Sequence, residues 1–269
     1  MSGSRVPAGD VSMFVTVAYD GAPFHGFARQ PGRPTVQGAV EDALATVLRR
    51  EVLTVGAGRT DAGVHALGQV VSFVADASEL SDPTSIARSV NGLTPSAISV
   101  ADARIAPASA DARHSALSRA YRYRISAGGP APVLCAPLVW RLTAGLDVDA
   151  MRAGAAFLEG EHDFRSFCVA PSAEGRRTVR EIDRIAVLEQ EVAGESVISV
   201  EVAGRSFLHS MVRIVVGTLV AVGRGRRTPE SVAEALEARD RAAAGETAPP
   251  QGLVLEAVRY PDDLWFSGR

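Results

Sequence analysis

The order in which strand-like and helix-like patterns follow one another is the feature that most limits the fold of this chain. The first half begins with a strand and a helix, and Thr35 is placed to cap that helix. Alternating apolar residues in this half predict strands over residues 13–19, 51–56, 69–74, 98–104 and 118–126, and helical periodicity predicts helices over 36–49 and 84–91.

A glycine- and proline-rich break at residues 128–132 precedes a second series of elements. This series predicts strands over 179–188, 197–202 and 253–259, and helices over 149–158, 207–222 and 229–244, the last with Thr228 as its cap. Strands and helices mix without the regular crossovers of a parallel sheet. We therefore expect an α+β fold, with helices packed on a largely antiparallel mixed sheet. The break predicts a soft boundary between an N-terminal half, 1–127, and a C-terminal half, 128–269.

The charge of the chain gives no simple indication of a nucleic-acid partner, because the formal net charge is −3. All 28 basic residues are nevertheless arginine, whose planar guanidinium suits phosphate and stacks on bases. A genome-wide codon bias toward arginine would give the same composition. The clustering of arginines is the better evidence, and the clusters are Arg113, Arg119, Arg122 and Arg124, then Arg176, Arg177 and Arg180, then Arg224, Arg226 and Arg227.

Several classes of protein and site are disfavoured by the sequence. Cys135 and Cys168 are too few and too far apart to form a disulfide framework, and the chain opens with no apolar leader, so we expect a cytoplasmic protein. The longest apolar stretch contains Arg213 and is too short to span a membrane. His162 and His209 lack the paired spacing of metal ligands, so we expect no metal site.

The run from Gly56 to Gly63 is a glycine-rich loop with a cation and a carboxylate two positions apart, Arg59 and Asp61. Glycines allow the backbone to turn tightly and a bulky ligand to come close. A phosphate-binding loop would need a lysine followed by serine or threonine, which this run lacks. A tight turn with a surface ion pair remains an alternative when the run is considered alone.

The loop is part of a longer resemblance. The fifteen residues from Ala57 to Val71 resemble the catalytic motif of the TruA family of tRNA pseudouridine synthases. Phe27 and His114 depart from the family pattern. Tryptophan is usual at the first position and an apolar aromatic residue at the second, so the details of local stacking or packing at these two positions stay open. Other motifs of the family follow in order over about residues 14–261, at 19–21, 25–30, 112–116, 119–123, 161–164, 166–167, 207–213 and 248–253.

This resemblance implies a pseudouridine synthase fold of two similar halves around a central catalytic cleft. It implies isomerisation of uridine to pseudouridine at positions 38, 39 and 40 in the anticodon arm of tRNA, without metal, redox or nucleotide cofactor. The enzyme is then expected to be a homodimer whose two subunits share one tRNA. The arginine clusters are expected to hold the tRNA backbone, through an attraction that weakens as salt rises.

The resemblance also assigns roles to residues. Asp61 matches the catalytic carboxylate, which acts either as a nucleophile or as a base at the sugar. Arg59 is expected to keep that carboxylate ionised and to fill the space left by a flipped nucleotide. Tyr121 is expected to stack on the target uracil, and Arg213 to pair with Asp61. Supporting positions are Gly58, Thr60, His65 and Arg119.

Three other interpretations stay open beside these roles. Tyr121 and Tyr123 share one face of a strand, and core packing alone would explain that pair; the resemblance leaves only Tyr123 in the core. An RNA-binding module without catalysis would keep the arginines but would have no need of Asp61. A carboxylate-based nucleoside or glycoside hydrolase would need a second carboxylate, where the loop offers Arg59 instead.

Overall fold

The computed structural model describes residues 8–80, 82–169, 172 and 174–266. Contacts divide the chain into two compact units. The first unit combines Met1–Leu117 with Leu255–Arg269, and the second is Ser118–Val254.

The first unit is built on an antiparallel arrangement around β1 (Asp10–Tyr19). This strand pairs with β3 (His65–Asp76) on one side and with β4 (Ile98–Pro107) on the other. The two-residue strand β2 (Val55–Gly56) also pairs with β3, and β10 (Leu253–Arg259) lies beside β3. Both faces of β1 are buried, which its nearly continuous apolar sequence requires.

Two helices pack in the first unit, α1 (Val36–Leu48) and α2 (Pro83–Leu93), with α2 against β4 and α1 against α2. Thr35 caps α1 as predicted, because its side chain accepts a hydrogen bond from the Gly38 amide.

The strand β2 is shorter than the predicted strand over 51–56. The Thr54 amide and hydroxyl both donate to the buried carboxylate of Glu41, at 2.9 and 3.0 Å. A side chain therefore satisfies this backbone group in place of a neighbouring strand.

The second unit contains a sheet in the order β5–β9–β8–β7, with antiparallel neighbours. The strand β6 adds to β5 in parallel. In chain order these strands are β5 (Ser118–Ala127), β6 (Trp140–Leu142), β7 (Gly160–Asp163), β8 (Val179–Val192) and β9 (Glu195–Gly204). The sequence predicts β5, β8 and β9 but not the short strands β6 and β7.

The break at 128–132 predicts a boundary after residue 127, whereas contacts group β5 with the second unit, where it pairs with β9.

Among the described residues, the second unit has the α-helices α3 (Val148–Ala156), α4 (Met211–Gly223) and α5 (Ser231–Ala238). The helix α4 is almost wholly buried and packs against α3. It begins later than the predicted residue 207, because Ser210 adopts a left-handed conformation with φ of 56°.

The helix α5 differs from its prediction at both ends. It ends before Arg239, whose φ is 50°, and not near residue 244. Its N-cap residue is Glu230, while Thr228 contributes only its carbonyl, which accepts from the Ser231 amide.

The predicted α+β class with a largely antiparallel sheet is confirmed in both units. Across the described ranges, no helix combines the length and apolar character needed to cross a membrane.

Candidate functional site

Residues 57–64 form the glycine-rich loop between β2 and β3, as the sequence predicted, although β3 already begins at His65. The Ala57 amide donates to the Val70 carbonyl at 2.8 Å and so continues the β2–β3 pairing into the loop. At the other end, the Val64 amide donates to the Asp61 carbonyl at 3.1 Å, across Gly63 with φ of 78°. Asp61 thus opens a turn that only a residue tolerant of positive φ completes easily.

Thr60 faces inward from the loop. Its hydroxyl lies 2.8 Å from the hydroxyl of Tyr19, at the end of β1, and its carbonyl accepts from the Phe27 amide at 3.1 Å. Thr60 is buried, whereas Arg59 is exposed and Asp61 is half-buried. The loop therefore buries the residue between its two charged residues and leaves both of those at least partly accessible.

Gln69 holds the loop from β3. Its side-chain amide donates to the Gly58 carbonyl at 3.0 Å, and its carbonyl oxygen accepts from the Val70 amide at 3.1 Å. Gln69 has no exposed surface, and a buried amide side chain is costly unless its polar atoms are bonded. These bonds therefore fix both the side chain of Gln69 and the loop carbonyl.

Two glycines preceding α1 allow the backbone to approach the loop closely. A Cβ atom on Gly21 would lie 2.0 Å from the Val64 carbonyl oxygen. Gly26 has φ of 95°, and a Cβ there would lie 3.1 Å from the Thr60 carbonyl oxygen. Side chains at these positions would displace the loop that carries Asp61.

His65 is buried at the start of β3, and its ring contacts the turn that follows β1. The Gly21 amide donates to Nδ1 at 3.1 Å, and Oδ1 of Asp20 lies 3.0 Å from the same nitrogen. The Gly21 amide needs an acceptor at Nδ1 and the Asp20 carboxylate needs a donor there, so the tautomer of the ring decides which of the two contacts is a hydrogen bond. His65 thereby ties the end of the loop to the turn after β1.

The two departures from the family pattern occupy different surroundings. Phe27 is buried beneath the loop, with its ring centroid 6.4 Å from that of Tyr19, and it therefore acts in packing. His114 is exposed, and its Nδ1 lies 2.8 Å from the carboxylate of Asp111. Partial burial opposes ionisation of Asp111, but hydrogen bonds from His114 and from the Arg113 amide hold its pKa below the usual value.

The second unit carries the predicted tyrosine and arginine positions. Tyr121 lies on β5, is buried, and meets Phe207 edge-on with ring centroids 5.2 Å apart. Tyr123 has no exposed surface, and its hydroxyl donates to the Pro249 carbonyl at 2.7 Å. Tyr123 is therefore a core residue, as predicted.

Arg213 lies in the first turn of α4 and is partly buried. Its Nε donates to the Ala248 carbonyl at 2.7 Å, and the Ala248 amide donates to the Arg213 carbonyl at 3.1 Å. Arg119 is buried on β5, where its Nη1 donates to the Arg205 carbonyl at 2.6 Å. Both guanidinium groups are therefore oriented by main-chain carbonyls.

The arginines of the clusters differ in their exposure and in their contacts within the protein. Arg122 forms an ion pair with Glu201 at 3.1 Å, and Arg227 donates to the Ala243 carbonyl at 2.6 Å. Burial lowers the pKa of Arg180, and the charge of Arg177 lowers it further. The exposed members of the clusters are Arg113, Arg176, Arg177 and Arg226.

The predicted residues thus fall into two sets. The first unit brings together Gly58, Arg59, Thr60, Asp61 and His65 in and beside one loop, and the second carries Arg119, Tyr121 and Arg213. Tyr19 and Gln69 lie within motifs that resemble the family, but the resemblance assigns no role to either residue. The placement of a tyrosine at a strand end and a glutamine within an apolar strand was the available indication. Within the described part of the chain, no group of three or more His, Cys, Asp or Glu residues is arranged to hold a metal ion.

Comparison with known proteins gives a consistent result. A family model described as tRNA pseudouridine synthase matches residues 15–114 and 155–261. A tRNA pseudouridine synthase A from Dinoroseobacter shibae is 44% identical over 92% of this chain and 95% of its own length. The protein of the same name from Frankia casuarinae is 46% identical over 97% of this chain and 93% of its own.

A solved structure of a Cbf5-Nop10-Gar1 complex contains a chain that is similar over 77% of this chain and 45% of its own, with 17% identity and a TM-score of 0.33.

Proposed function

The chain belongs to the tRNA pseudouridine synthase family, and from that premise we propose that it isomerises uridine to pseudouridine at positions 38, 39 and 40 in the anticodon arm of tRNA. Membership makes it an isomerase. The observation that carries the proposal is the anchored loop 57–64, which leaves the Asp61 carboxylate beside an exposed arginine while the residue between them is buried.

Asp61 is the proposed catalytic carboxylate. The reaction breaks the bond between C1′ of the ribose and N1 of uracil, turns the base, and joins C1′ to C5. The proton on C5 is then lost and N1 gains one, so the product is an isomer of the substrate. An ionised Asp61 would either attack the sugar as a nucleophile or remove a proton from it as a base.

Arg59 is proposed to act beside Asp61 on the nucleic acid. An enzyme that works on a base within folded RNA must extrude it, at a cost of about a few kcal/mol for unstacking. An exposed guanidinium can occupy the vacated space and stack on the neighbouring bases. Arg59 has the required exposure, and the loop on which it lies is held at Gly58 and Thr60.

Tyr121 and Arg213, both of the second unit, are proposed to bind the substrate, and Arg119 is proposed to support them. The Tyr121 ring offers an aromatic face for the uracil, and Phe207 fixes the orientation of that ring by its edge-on contact. Arg213 supplies a cation whose direction is set by the Ala248 carbonyl. Arg119 supports the start of β5, on which Tyr121 lies.

The proposal includes a cytoplasmic homodimer that needs no metal or nucleotide, as the family resemblance implies. The reaction is redox-neutral and changes only the connectivity of one nucleotide, so it consumes no co-substrate. Light scattering on purified protein, alone and with tRNA, tests the dimer by its mass.

Release of tritium from transcripts labelled at C5 of uridine tests the reaction, because joining C1′ to C5 displaces the hydrogen there. The assay contains chelator and no nucleotide. We expect release from an unmodified tRNA, and loss of release when uridines 38, 39 and 40 are all replaced by cytidine. Release from the replaced transcript would overturn the positions. Free uracil would favour the hydrolase, and tRNA binding without any release would favour the binding module.

A further inference from the structure

The loop 57–64 is held by a network of buried polar groups from β1 and β3. The Tyr19 hydroxyl lies 2.8 Å from the Thr60 hydroxyl. The Gln69 side chain donates to the Gly58 carbonyl at 3.0 Å. The network therefore reaches the loop at two points, one on each side of Arg59.

All the side chains of this network are buried. Tyr19 is 5% exposed, Gln69 is 0% exposed and Thr60 is 8% exposed. Burial raises the pKa of Tyr19 to about 12, so its hydroxyl stays protonated near neutral pH and remains able to donate. Hydrogen bonds among buried groups are strong and hold one arrangement, because breaking any of them leaves a polar atom unsatisfied.

We propose that Tyr19 and Gln69 are positioning residues for catalysis: they set the backbone of Gly58 and Thr60 so that Arg59 and Asp61 project toward the substrate. This inference rests on the proposed function of Asp61. Neither residue touches the reacting atoms in this account. Their effect is on the chemical step, because a displacement of about 1 Å of a catalytic group costs about a hundredfold in rate.

The first test is Tyr19→Phe, which removes one oxygen from a buried ring and leaves its packing in place. We expect kcat for tritium release to fall by about tenfold to a hundredfold, with KM for tRNA changed by less than about twofold. The matched control is Tyr260→Phe. It keeps the ring and removes a hydroxyl that donates to the Ala112 carbonyl at 2.7 Å, outside residues 57–64, and should leave both constants near the parent values.

The second test asks whether Tyr19 acts through Thr60. Thr60→Val removes the hydroxyl while keeping the shape of the side chain, and Thr60→Ser keeps the hydroxyl. We expect Thr60→Val to lower kcat as Tyr19→Phe does, and Thr60→Ser to retain it within about threefold. In the double variant Tyr19→Phe/Thr60→Val, the two losses should overlap. Losses that multiply would show two independent effects and would overturn the proposal.

Amide hydrogen exchange gives a readout that does not depend on activity. Exchange in a peptide covering residues 57–64 should become faster in Tyr19→Phe and in Gln69→Ala, and should stay unchanged in Tyr260→Phe. If the parent protein releases no tritium, the proposed function fails, while exchange still reports whether Tyr19 and Gln69 hold the loop. The positioning role would be overturned by a parental kcat in Tyr19→Phe. It would also be overturned by parental exchange rates in both Tyr19→Phe and Gln69→Ala.

Discussion

Arg213 and Ala248 exchange two hydrogen bonds. The Arg213 Nε donates to the Ala248 carbonyl at 2.7 Å, and the Ala248 amide donates back to the Arg213 carbonyl at 3.1 Å. A charge in an otherwise apolar helix is costly unless its polar atoms are satisfied. The backbone at Ala248 therefore fixes the direction of a cation that the proposed reaction uses.

Arg213→Lys tests whether this direction matters beyond charge. Lysine keeps the positive charge but has no planar Nε, so it cannot bond the Ala248 carbonyl and extend further as arginine does. We expect kcat/KM for tritium release to fall by about tenfold or more, with a modest loss of thermal stability. The control is Arg88→Lys, at an exposed position of α2, which should keep parental activity. Parental kcat/KM in Arg213→Lys would show that charge alone suffices.

Gly21→Ala tests the close approach of the backbone to the loop 57–64. Its new Cβ would meet the Val64 carbonyl oxygen at 2.0 Å, so the backbone must shift. We expect a loss of about 1–3 kcal/mol in the free energy of unfolding, measured by urea denaturation, together with reduced tritium release.

Gly92→Ala is the matched comparison, and the expected sign is opposite. Gly92 lies in α2, and a Cβ there would meet nothing within 4 Å. Alanine favours a helix over glycine, so we expect a gain of about 0.5–1 kcal/mol. Equal effects of the two substitutions would contradict the steric account of Gly21.

Most elements of the fold follow from patterns that the sequence displays directly. The Thr35 cap and the strict alternation in β5 are local features, and the structure has them as predicted. The ends of α4 and α5 could not be predicted in the same way. They are set at Ser210 and Arg239, which adopt left-handed conformations that residues other than glycine rarely take. The local sequence gives no indication of these conformations.

Arg176 and Arg177 test the binding of the tRNA backbone, because both are exposed, whereas Arg122 and Arg227 are partly buried and bonded within the protein. We expect Arg176→Gln/Arg177→Gln to weaken tRNA binding several-fold, and to reduce the slope of log K against log salt by about 1–2. Filter binding at several salt concentrations measures both quantities. Arg88→Gln, which also removes one exposed charge, is the control. An unchanged salt slope in the double variant would remove this cluster from the backbone contacts.

Glu195 gives a prediction about pH and stability. Its carboxylate accepts hydrogen bonds from the amides of Cys135, Val133 and Leu134, at 2.8, 2.5 and 3.1 Å. These bonds, led by that from Cys135, lower the pKa of Glu195 to about 2. A depressed pKa means that the ionised form stabilises the fold above the unfolded-state pKa of about 4.3, and that this contribution is lost as pH falls through the folded-state value.

Glu195→Gln should therefore unfold at a lower temperature than the parent at pH 7. The difference in Tm should shrink as pH falls from about 5 toward about 2, because the parent carboxylate becomes protonated over this range. Scanning calorimetry over this pH series measures the difference. A difference that is constant with pH would show that charge on Glu195 contributes nothing.

The sequence predicts the charged residues of the candidate site, but it does not predict the residues that hold its loop in place. Asp61 and Arg59 lie in a motif whose glycines and charges are visible in the sequence. The roles of Tyr19 and Gln69 depend on which strands become neighbours, since β1 and β3 are separated along the chain by α1 and the loop. A buried hydroxyl and a buried amide also resemble ordinary core residues until their partners are known.

The most direct test of the whole account is tritium release by Asp61→Asn and Asp61→Ala, with tRNA binding measured on the same preparations. The account predicts that both variants bind tRNA with nearly the parental Kd, and that release falls by at least about a thousandfold. Release at the parental rate by Asp61→Asn would contradict the catalytic role of this carboxylate.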